Sequence, residues 1–352
     1  MRVAFVSMTT TRHRDTEGNR RLERVAHRLA DRGHDVTVYC AAWWDEYQDQ
    51  RTIDGVTYHG VTVSPARTSF GARLPLLLAR HRPDVIHAAP NPPAAVFGAS
   101  TGGTLARAPL IIEWYGDEGL ADSRTVAQSL REAAAVITPS ELVRTQVRER
   151  GIADDRTEQI PNGIDLSLVQ SVDPAEPVEV AFAHPLDESA NVDSLLLALA
   201  ELRDREWSAT IVGDGPLRAD YERQAADLRI DDRLTFVGEA SRDERLAIYR
   251  GAHTFVHTAY REYFATELLW ALAAGSVGIV EYQAKSSAHE LIENHRRSFR
   301  VTDPQELADA IVESGGLERR SFDDSFASYD HEAVIDAYVD VYEDVVASHG
   351  LL

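Results

Sequence analysis

One stretch of the sequence decides the fold: YREYFATELLWALAAGSVGIVEYQAKSSAHELIE, residues 260–293. Residues 267–274 place leucine and alanine at helical spacing, and Gly275 predicts the end of that helix. Residues 277–280 are apolar without alternation, which is typical of a strand covered on both faces of a parallel sheet. Because ligands bind beyond the carboxyl ends of such strands, we expect the following loop, 281–287, to hold a phosphate-bearing ligand.

The remaining chain alternates predicted strands and helices in two similarly built halves. Strands are predicted in the first half at 2–7, 35–40, 83–89, 110–114 and 133–138, and in the second at 178–183, 208–212, 234–237 and 255–257. Residues 174–177, within the acidic stretch SVDPAEP (171–177), are predicted to be the linker. A chain of 352 residues is long enough for two cores, so we predict two domains, 1–172 and 178–332.

The composition is strongly acidic, with 57 acidic and 36 basic residues and a formal net charge of −21. This balance argues against nucleic acid as a partner and against electrostatic docking on an anionic bilayer. Lys285 is the sole lysine. Acid excess with so little lysine indicates a high-salt organism with a GC-rich genome, and an ordinary acidic mesophilic protein is the alternative.

Cysteine content and hydropathy bear on the expected compartment. Cys40 is the sole cysteine, so no disulfide within the chain is expected, and a reducing cytoplasm fits. The first ten residues lack the apolar core of a signal peptide and predict a strand instead. The longest uncharged apolar run, 268–280, is shorter than the ~20 residues that span a bilayer. We therefore expect no membrane span.

Several motifs, in this order, resemble those of the family 4 glycosyltransferases, which have the GT-B architecture. They are RLADRGHDVTV (28–38), PDVIHA (83–88), IPNGID (160–165), IVGDGPLR (211–218) and ELLWALAAG (267–275). The resemblance covers nearly the whole chain, and the acidic composition suggests a haloarchaeal branch. It implies an α/β fold of two Rossmann-like parallel-sheet domains facing a cleft, with the acceptor on the first domain and a nucleotide sugar on the second. It also implies that a C-terminal helix, 333–352, returns to the first domain.

In that family a pair of glutamates flanks the start of the helix that follows the donor-site strand. Glu262 matches the first, which contacts the donor sugar and phosphates, but Trp270 occupies the position of the second, which binds the ribose. Glu267 lies about one helical turn before Trp270 and is a candidate for the ribose contact. The alternative is that Glu267 only stabilises the first turn of its helix.

The family also carries an arginine and a lysine that neutralise the diphosphate leaving group. Pro185 and Ala190 stand at those positions here. Since departure of a diphosphate needs its charge stabilised, other groups must supply that charge. The candidates are Lys285, His184, Arg218 and Arg261. We predict Glu262, Lys285 and His184 as the catalytic residues, while a plain buried histidine is the alternative for His184.

The resemblance also places the binding residues. The predicted donor-binding residues are Gly213, Asp214, Gly215, Tyr263, Phe264, Ala265, Thr266, Glu267, Ser286, Ser287 and Glu290. The predicted acceptor-side residues, for which plain loop structure is the alternative, are Gly18, Asn19, Tyr115 and Asp117. No metal is implied, because no acid or histidine cluster has ligand spacing. The nucleotide sugar is a co-substrate, so no cofactor is expected.

The resemblance thus implies a retaining glycosyltransferase that moves a sugar from a nucleotide-activated donor to a glycan, glycolipid or glycoprotein acceptor. It is expected in the cytoplasm, with peripheral contact at the inner face of the membrane as a further expectation. A GT-B protein without catalysis, which binds a nucleotide, a glycan or a partner transferase, is the competing hypothesis; the absent basic pair and Trp270 favour it. A nucleotide-sugar epimerase fits less well, because ring chemistry would need more acids and histidines.

Overall fold

The computed structural model describes residues 1–44 and 48–350. Contacts divide the chain into two compact units, Met1–Pro161 with the chain from Val334 onward, and Asn162–Ala333. Each unit is built on a parallel sheet with helices connecting successive strands, which confirms the predicted α/β fold with two Rossmann-like domains. No helix within the described residues is long and apolar enough to cross a membrane.

The elements of the first unit are β1 (Arg2–Val6), α1 (Glu17–Asp31), β2 (Asp35–Ala41), β3 (Gln50–Ile53), β4 (Val56–Thr62), α2 (Arg67–His81), β5 (Val85–Ala88), α3 (Pro93–Ala106), β6 (Leu110–Glu113), α4 (Arg124–Leu130), β7 (Ala135–Thr138), α5 (Glu141–Glu149) and β8 (Thr157–Gln159). The sheet order is β3-β4-β2-β1-β5-β6-β7-β8. All neighbouring strands are parallel except β3 and β4, which form an antiparallel hairpin. The central strands β1 and β5 are buried almost throughout, because helices cover both faces.

Helices α2 and α3 pack side by side through glycine. A Cβ on Gly98 would lie 2.2 Å from the carbonyl oxygen of Gly71, and a Cβ on Gly71 would lie 2.3 Å from that of Ala94. No larger residue fits at these contacts, so the two backbones touch directly. The glycine-rich sequence of α3 gives little helical apolar periodicity, and sequence reasoning missed this helix.

The elements of the second unit are α6 (Leu166–Ser171), β9 (Val178–Ala183), α7 (Val192–Glu201), β10 (Ala209–Val212), α8 (Arg218–Asp227), β11 (Leu234–Gly238), α9 (Arg242–Gly251), β12 (Ala252–His257), β13 (Arg261–Glu262), α10 (Thr266–Ala273), β14 (Val277–Glu281), β15 (Lys285–Ser286), α11 (Ala288–Ile292), β16 (Ser298–Val301), α12 (Pro304–Ser314) and the start of α13 (His331–His349). The sheet order is β11-β10-β9-β12-β14-β16, all parallel, and β13 pairs separately with β15. The strand predicted at 277–280 is therefore confirmed as the buried strand β14.

By its internal contacts the first unit ends at Pro161, and the predicted domain boundary at residue 172 stays a prediction. Helix α6 is bonded to the second unit. The guanidinium of Arg250 donates to the carbonyl of Gln170 at 3.1 Å, and the Asn162 amide donates to the Thr266 hydroxyl at 3.0 Å. Contacts between side chains remote in sequence therefore attach residues 162–171 to the second unit.

The last helix, α13, returns to the first unit as expected from the resemblance. From Val334 onward it belongs to that unit, and Val334, Ile335, Tyr338 and Tyr342 are buried in its core. Residues 351–352 of the predicted range 333–352 lie outside the described residues.

Candidate active site

Two of the predicted catalytic residues lie on neighbouring short strands of the second unit. The parallel pairing of β13 with β15 sets Arg261 opposite Lys285 and Glu262 opposite Ser286. The N–H of Ser287 donates to the carbonyl of Glu262 at 2.8 Å. These contacts hold the turn after β14 beside Glu262, and the Lys285 side chain is exposed.

His184, the third predicted catalytic residue, lies directly after β9 and faces Glu262. Its Nε2 is 3.8 Å from Oε2 of Glu262, while its Nδ1 is 2.8 Å from the carbonyl oxygen of Pro185. Because a carbonyl only accepts, Nδ1 carries a proton in this arrangement. The Nε2 atom is then the one that lies toward the carboxylate.

His257 is a second histidine of this site that sequence reasoning missed. It ends β12, which pairs with β9, and its ring centroid is 6.4 Å from that of His184. Burial, with a further effect from His184, lowers the pKa of His257 to about 3, so the ring is neutral. Its Nε2 is buried without a hydrogen-bond partner among the described residues. The available signal was a histidine at the carboxyl end of each of two neighbouring strands.

The predicted donor-site glycines allow the loop after β10 to contact the loop after β9. Gly213 has φ +128°, and a Cβ there would lie 2.1 Å from the carbonyl oxygen of His184. A Cβ on Gly215 would lie 2.4 Å from the carbonyl oxygen of Leu186. Asp214 accepts at its carbonyl from the N–H of Leu186 at 2.9 Å. The loop 213–215 therefore positions the backbone around His184.

Glu267 anchors α10 on α9. One carboxylate oxygen is 2.8 Å from Arg245, and the other accepts the hydroxyl of Tyr249 at 2.5 Å. Trp270, at the position of the family's second glutamate, is buried with the Arg242 guanidinium 5.5 Å from its ring centroid. The contacts of Glu267 support a structural role, and its predicted contact with ribose stays a prediction.

The segment before α10 is packed into the unit. Phe264 and Ala265 are buried, and Tyr263 is half-buried. Thr266 accepts the amide of Asn162, as described above. Because the side chains of Phe264 and Ala265 are buried, these two residues are suited to contact a ligand only through their backbone.

The turn at 286–287 contains two buried hydroxyls. The N–H of Ala288 donates to Oγ of Ser286 at 3.4 Å, whereas Oγ of Ser287 has no hydrogen-bond partner among the described residues. Glu290, in the short helix α11, is half-buried. A buried hydroxyl without a partner costs free energy, so the Ser287 hydroxyl is suited to a polar ligand atom.

The first unit contains a solvent-open pocket with about 460 Å³ of empty space. All four predicted acceptor-side residues, Gly18, Asn19, Tyr115 and Asp117, line it. The N–H of Gly18 donates to Asp117 at 2.9 Å, and a Cβ on Gly18 would lie 2.6 Å from the other carboxylate oxygen. Burial raises the pKa of Asp117. Structure thus brings these four residues together at the carboxyl ends of the strands.

Glu118 also lines this pocket, and sequence reasoning did not select it. Its carboxylate accepts the N–H of Tyr115 at 2.5 Å and that of Gly116 at 3.0 Å. Burial raises the pKa of Glu118 to about 7, and the neighbouring Asp117 acts in the same direction. The adjacent acids in YGDE, 115–118, were the signal available in the sequence.

We expect the Glu118 carboxyl to make the folded state less stable as pH rises. Its pKa is about 7 in the folded protein and ordinary, about 4.5, in the unfolded chain, so between these values the folded state binds more protons and stability falls with pH. Glu118→Gln cannot titrate. From about pH 5 to pH 8, wild type should lose roughly 2 kcal/mol relative to this variant in urea unfolding. Parallel profiles of wild type and variant would contradict this, and exposed Glu149→Gln is the control.

A buried ion pair lies beside the pocket. Nε of Arg21 is 2.7 Å from the Glu113 carboxylate, which also accepts the Tyr338 hydroxyl at 2.8 Å and lies 3.2 Å from Nε2 of His87. The Tyr342 hydroxyl is 2.6 Å from the other nitrogen of His87. Burial alone would raise the pKa of Glu113, but Arg21 and the hydrogen bonds hold it below its usual value. This network joins α1, β5 and β6 to α13.

Comparison with known proteins gives two family models that match in tandem. Glycosyltransferase Family 4 matches residues 18–168, and Glycosyl transferases group 1 matches residues 167–314. The chain is similar to the crystal structure of Anabaena Alr3699/HepE in complex with UDP and glucose, with a TM-score of 0.69 and 19% identity over 98% of this chain and 100% of the other. The fold and these matches define a GT-B glycosyltransferase. Within that class, the two tandem matches support the family 4 type.

Two curated relatives are similar in sequence. The GDP-mannose-dependent alpha-(1-6)-phosphatidylinositol monomannoside mannosyltransferase of Mycobacterium tuberculosis is 25% identical over 328 residues, 83% of each protein. The alpha-monoglucosyldiacylglycerol synthase of Streptococcus pneumoniae is 24% identical over 203 residues, 53% of this chain and 45% of that protein. The chain thus spans less than half the length of the second relative.

Proposed function

We propose that this protein transfers a sugar from a nucleotide-activated donor to an acceptor hydroxyl, with retention of the anomeric configuration. The donor is assigned to the second unit. The observation that carries this assignment is the convergence of Glu262, His184 and the turn at 285–287 beyond the carboxyl ends of a parallel sheet. A UDP complex of one structural neighbour and the GDP-mannose dependence of one relative support a nucleotide sugar.

In the proposed reaction, the bond from the anomeric carbon to the diphosphate breaks through an oxocarbenium-like state. A new bond forms to the acceptor oxygen, and the acceptor proton passes to the departing diphosphate. Glu262 orients the sugar, while His184 and Lys285 stabilise the charge on the diphosphate. Ser287 offers its unpartnered hydroxyl to a phosphate or sugar oxygen. No side-chain nucleophile is needed.

The acceptor is assigned to the pocket of the first unit. Its lining offers amide, hydroxyl and carboxyl groups from Asn19, Thr16, Asp117 and Glu118, which suit the hydroxyls of a sugar. The relatives' names include a diacylglycerol and a phosphatidylinositol mannoside, which supports a lipid-linked glycan among the acceptors to test. The acidic composition supports a halophilic, haloarchaeal origin, so assays belong in high as well as low salt.

The competing proposal is a GT-B protein that binds a nucleotide, a glycan or a partner transferase without catalysis. Pro185 and Ala190 at the family's basic positions, with buried Trp270 at its ribose position, favour it. Product analysis with labelled UDP- and GDP-sugars separates the two. Sugar transferred to an acceptor supports the enzyme, and nucleotide binding without any product supports the competing proposal.

Lys285→Ala should weaken nucleoside diphosphate binding more than nucleoside binding. If its ammonium contacts the diphosphate, loss of one charge-assisted hydrogen bond should reduce diphosphate affinity about 10- to 100-fold and leave nucleoside affinity unchanged. Titration calorimetry with UDP, GDP and their nucleosides measures both. Exposed Arg296→Ala in the same unit is the control. Equal affinity of mutant and parent for the diphosphate would remove Lys285 from the site and leave His184 or an arginine as the candidate.

A further inference from the structure

A buried carboxylate of the second unit joins segments that follow different strands. Glu281 is the last residue of β14, and it is only 6% exposed. Three side chains donate hydrogen bonds to it: the amide of Asn191 at 3.3 Å, the amide of Gln283 at 2.8 Å and the hydroxyl of Ser194. Because a carboxylate accepts on both oxygens and carries no donor of its own, it can satisfy all three donors together.

The first of these segments is the loop after β9, which begins with His184. Asn191, the last residue before α7, has φ +51°, and its side chain does not cap that helix. Its amide donates instead to Glu281 and, at 3.2 Å, to the carbonyl of Thr258. The hydroxyl of Thr258 in turn donates to the carbonyl of Ala190 at 2.9 Å. Glu281 and Thr258 therefore hold the end of the loop, where Ala190 replaces the family's lysine.

The second segment is the turn after β14, which carries Lys285. The side-chain amide of Gln283 donates to Glu281, and the carbonyl of Gln283 accepts the N–H of Ser286 at 3.0 Å. The far end of this turn is bonded to the backbone of Glu262, as described above. The turn is therefore fixed at one end by Glu281 and at the other by Glu262.

The hydrophobic core does not require a carboxyl group at this position. Burial raises the pKa of Glu281, while the hydrogen bonds from its three donors act in the opposite direction. An apolar side chain of similar volume would avoid the cost of desolvating a carboxyl group. Such a side chain could not bond the loop after β9 to the turn after β14. The arrangement therefore favours a role in the geometry of these two segments.

We propose that Glu281 is a positioning residue of the donor site, which sets the distance between the loop after β9 and the turn after β14. The inference rests on the proposed function, because these segments carry His184 and Lys285, the groups assigned to the diphosphate. Glu281 acts through Asn191 and Gln283 and does not itself touch the donor. Stabilising a departing diphosphate requires groups held at fixed positions, so a shift of either segment weakens that contact.

The first test is titration calorimetry with UDP, GDP and their nucleosides. Glu281→Ala should weaken diphosphate binding about 10-fold or more and leave nucleoside binding nearly unchanged, because the displaced groups contact the diphosphate. Glu281→Gln should bind as wild type does, since its oxygen can accept from Asn191 and Gln283 while its amide donates to the Ser194 hydroxyl. Wild-type diphosphate affinity in Glu281→Ala, or a loss in Glu281→Gln as large as in Glu281→Ala, would overturn the proposal.

The matched control is Asp323→Ala, which removes another carboxylate of the second unit that is 6% exposed. That carboxylate accepts the hydroxyl of Ser325 at 2.6 Å and lies 3.2 Å from His295, which precedes β16 at the opposite end of the sheet. Both alanine variants leave donors unpaired and should lower the urea midpoint, but Asp323→Ala should keep wild-type affinity for UDP and GDP. Equal losses of affinity in the two variants would show a general effect of destabilisation and contradict a positioning role.

A double variant tests the route of the effect. If Glu281 acts through the turn that carries Lys285, Glu281→Ala should cost clearly less diphosphate affinity in a Lys285→Ala background than in wild type. Fully additive losses would count against the proposal. Its failure is distinguishable from failure of the proposed function: in the first case wild type and Glu281→Ala bind UDP or GDP equally well, and in the second wild type binds neither.

Discussion

Glu262→Gln is expected to lower turnover by about 100-fold or more while leaving the protein folded. The substitution keeps the size of the side chain and removes its charge. The side chain of Glu262 is 24% exposed and faces His184 at 3.8 Å, a partly solvated pair whose loss should cost no more than about 1 kcal/mol of stability. A group that orients the sugar in the transition state contributes far more to the reaction than to the fold.

The matched control is Glu267→Gln, five residues further along the chain. Its carboxylate is bonded to Arg245 and Tyr249, so we expect a modest loss of stability and turnover within roughly three-fold of wild type. Steady-state rates and urea unfolding of both variants give the comparison. Near-normal turnover in Glu262→Gln would exclude a catalytic role for Glu262. A large loss in Glu267→Gln, with raised KM for the donor, would restore its predicted ribose contact.

Arg21→Met should destabilise the first unit by roughly 3–5 kcal/mol, the largest stability effect we expect from one substitution. The side chains of Arg21 and Glu113 are 3% and 1% exposed. Without Arg21, the Glu113 carboxylate stays buried, and His87 and Tyr338 are its remaining partners among the described residues. Methionine preserves most of the volume, so the loss measures the unpaired charge and not a cavity.

Urea unfolding of Arg21→Met, Glu113→Leu and the double variant measures this effect. The double variant should be more stable than the sum of the single losses predicts, because it removes both charges together. The control is Arg148→Met, which breaks an exposed pair with Glu141 and should cost less than about 1 kcal/mol. A loss in Arg21→Met as small as that of the control would show that the buried network contributes little.

The sequence predicted the architecture through local periodicity. Apolar runs without alternation, such as 277–280, identify strands covered on both faces, and they are followed by helices with one apolar stripe. Helix α3 was not predicted from the sequence. Its glycines give little periodic signal in the sequence. The need for glycine becomes visible only in the structure, because a Cβ at Gly98 would clash with the backbone of Gly71 in α2.

The sequence predicted only part of the candidate site, because it does not show contacts between residues that are distant in the chain. Residue type and motif order drew attention to Glu262, His184 and Lys285, and the structure places Glu262 beside both His184 and the turn that carries Lys285. Residues His257 and Glu118 were missed, since their type alone is ordinary. Their altered pKa values come from burial by residues that are distant in the chain.

By itself, then, the sequence determined the two parallel-sheet domains, while the returning last helix came from the family resemblance and the site residues stay a prediction. Tertiary structure alone decided which side chains are desolvated and which carboxylates are already paired. The physical reason is that periodicity records which side of each element is buried. Desolvation and charge pairing depend instead on distances between elements, and those distances exist only once the sheets and helices have packed.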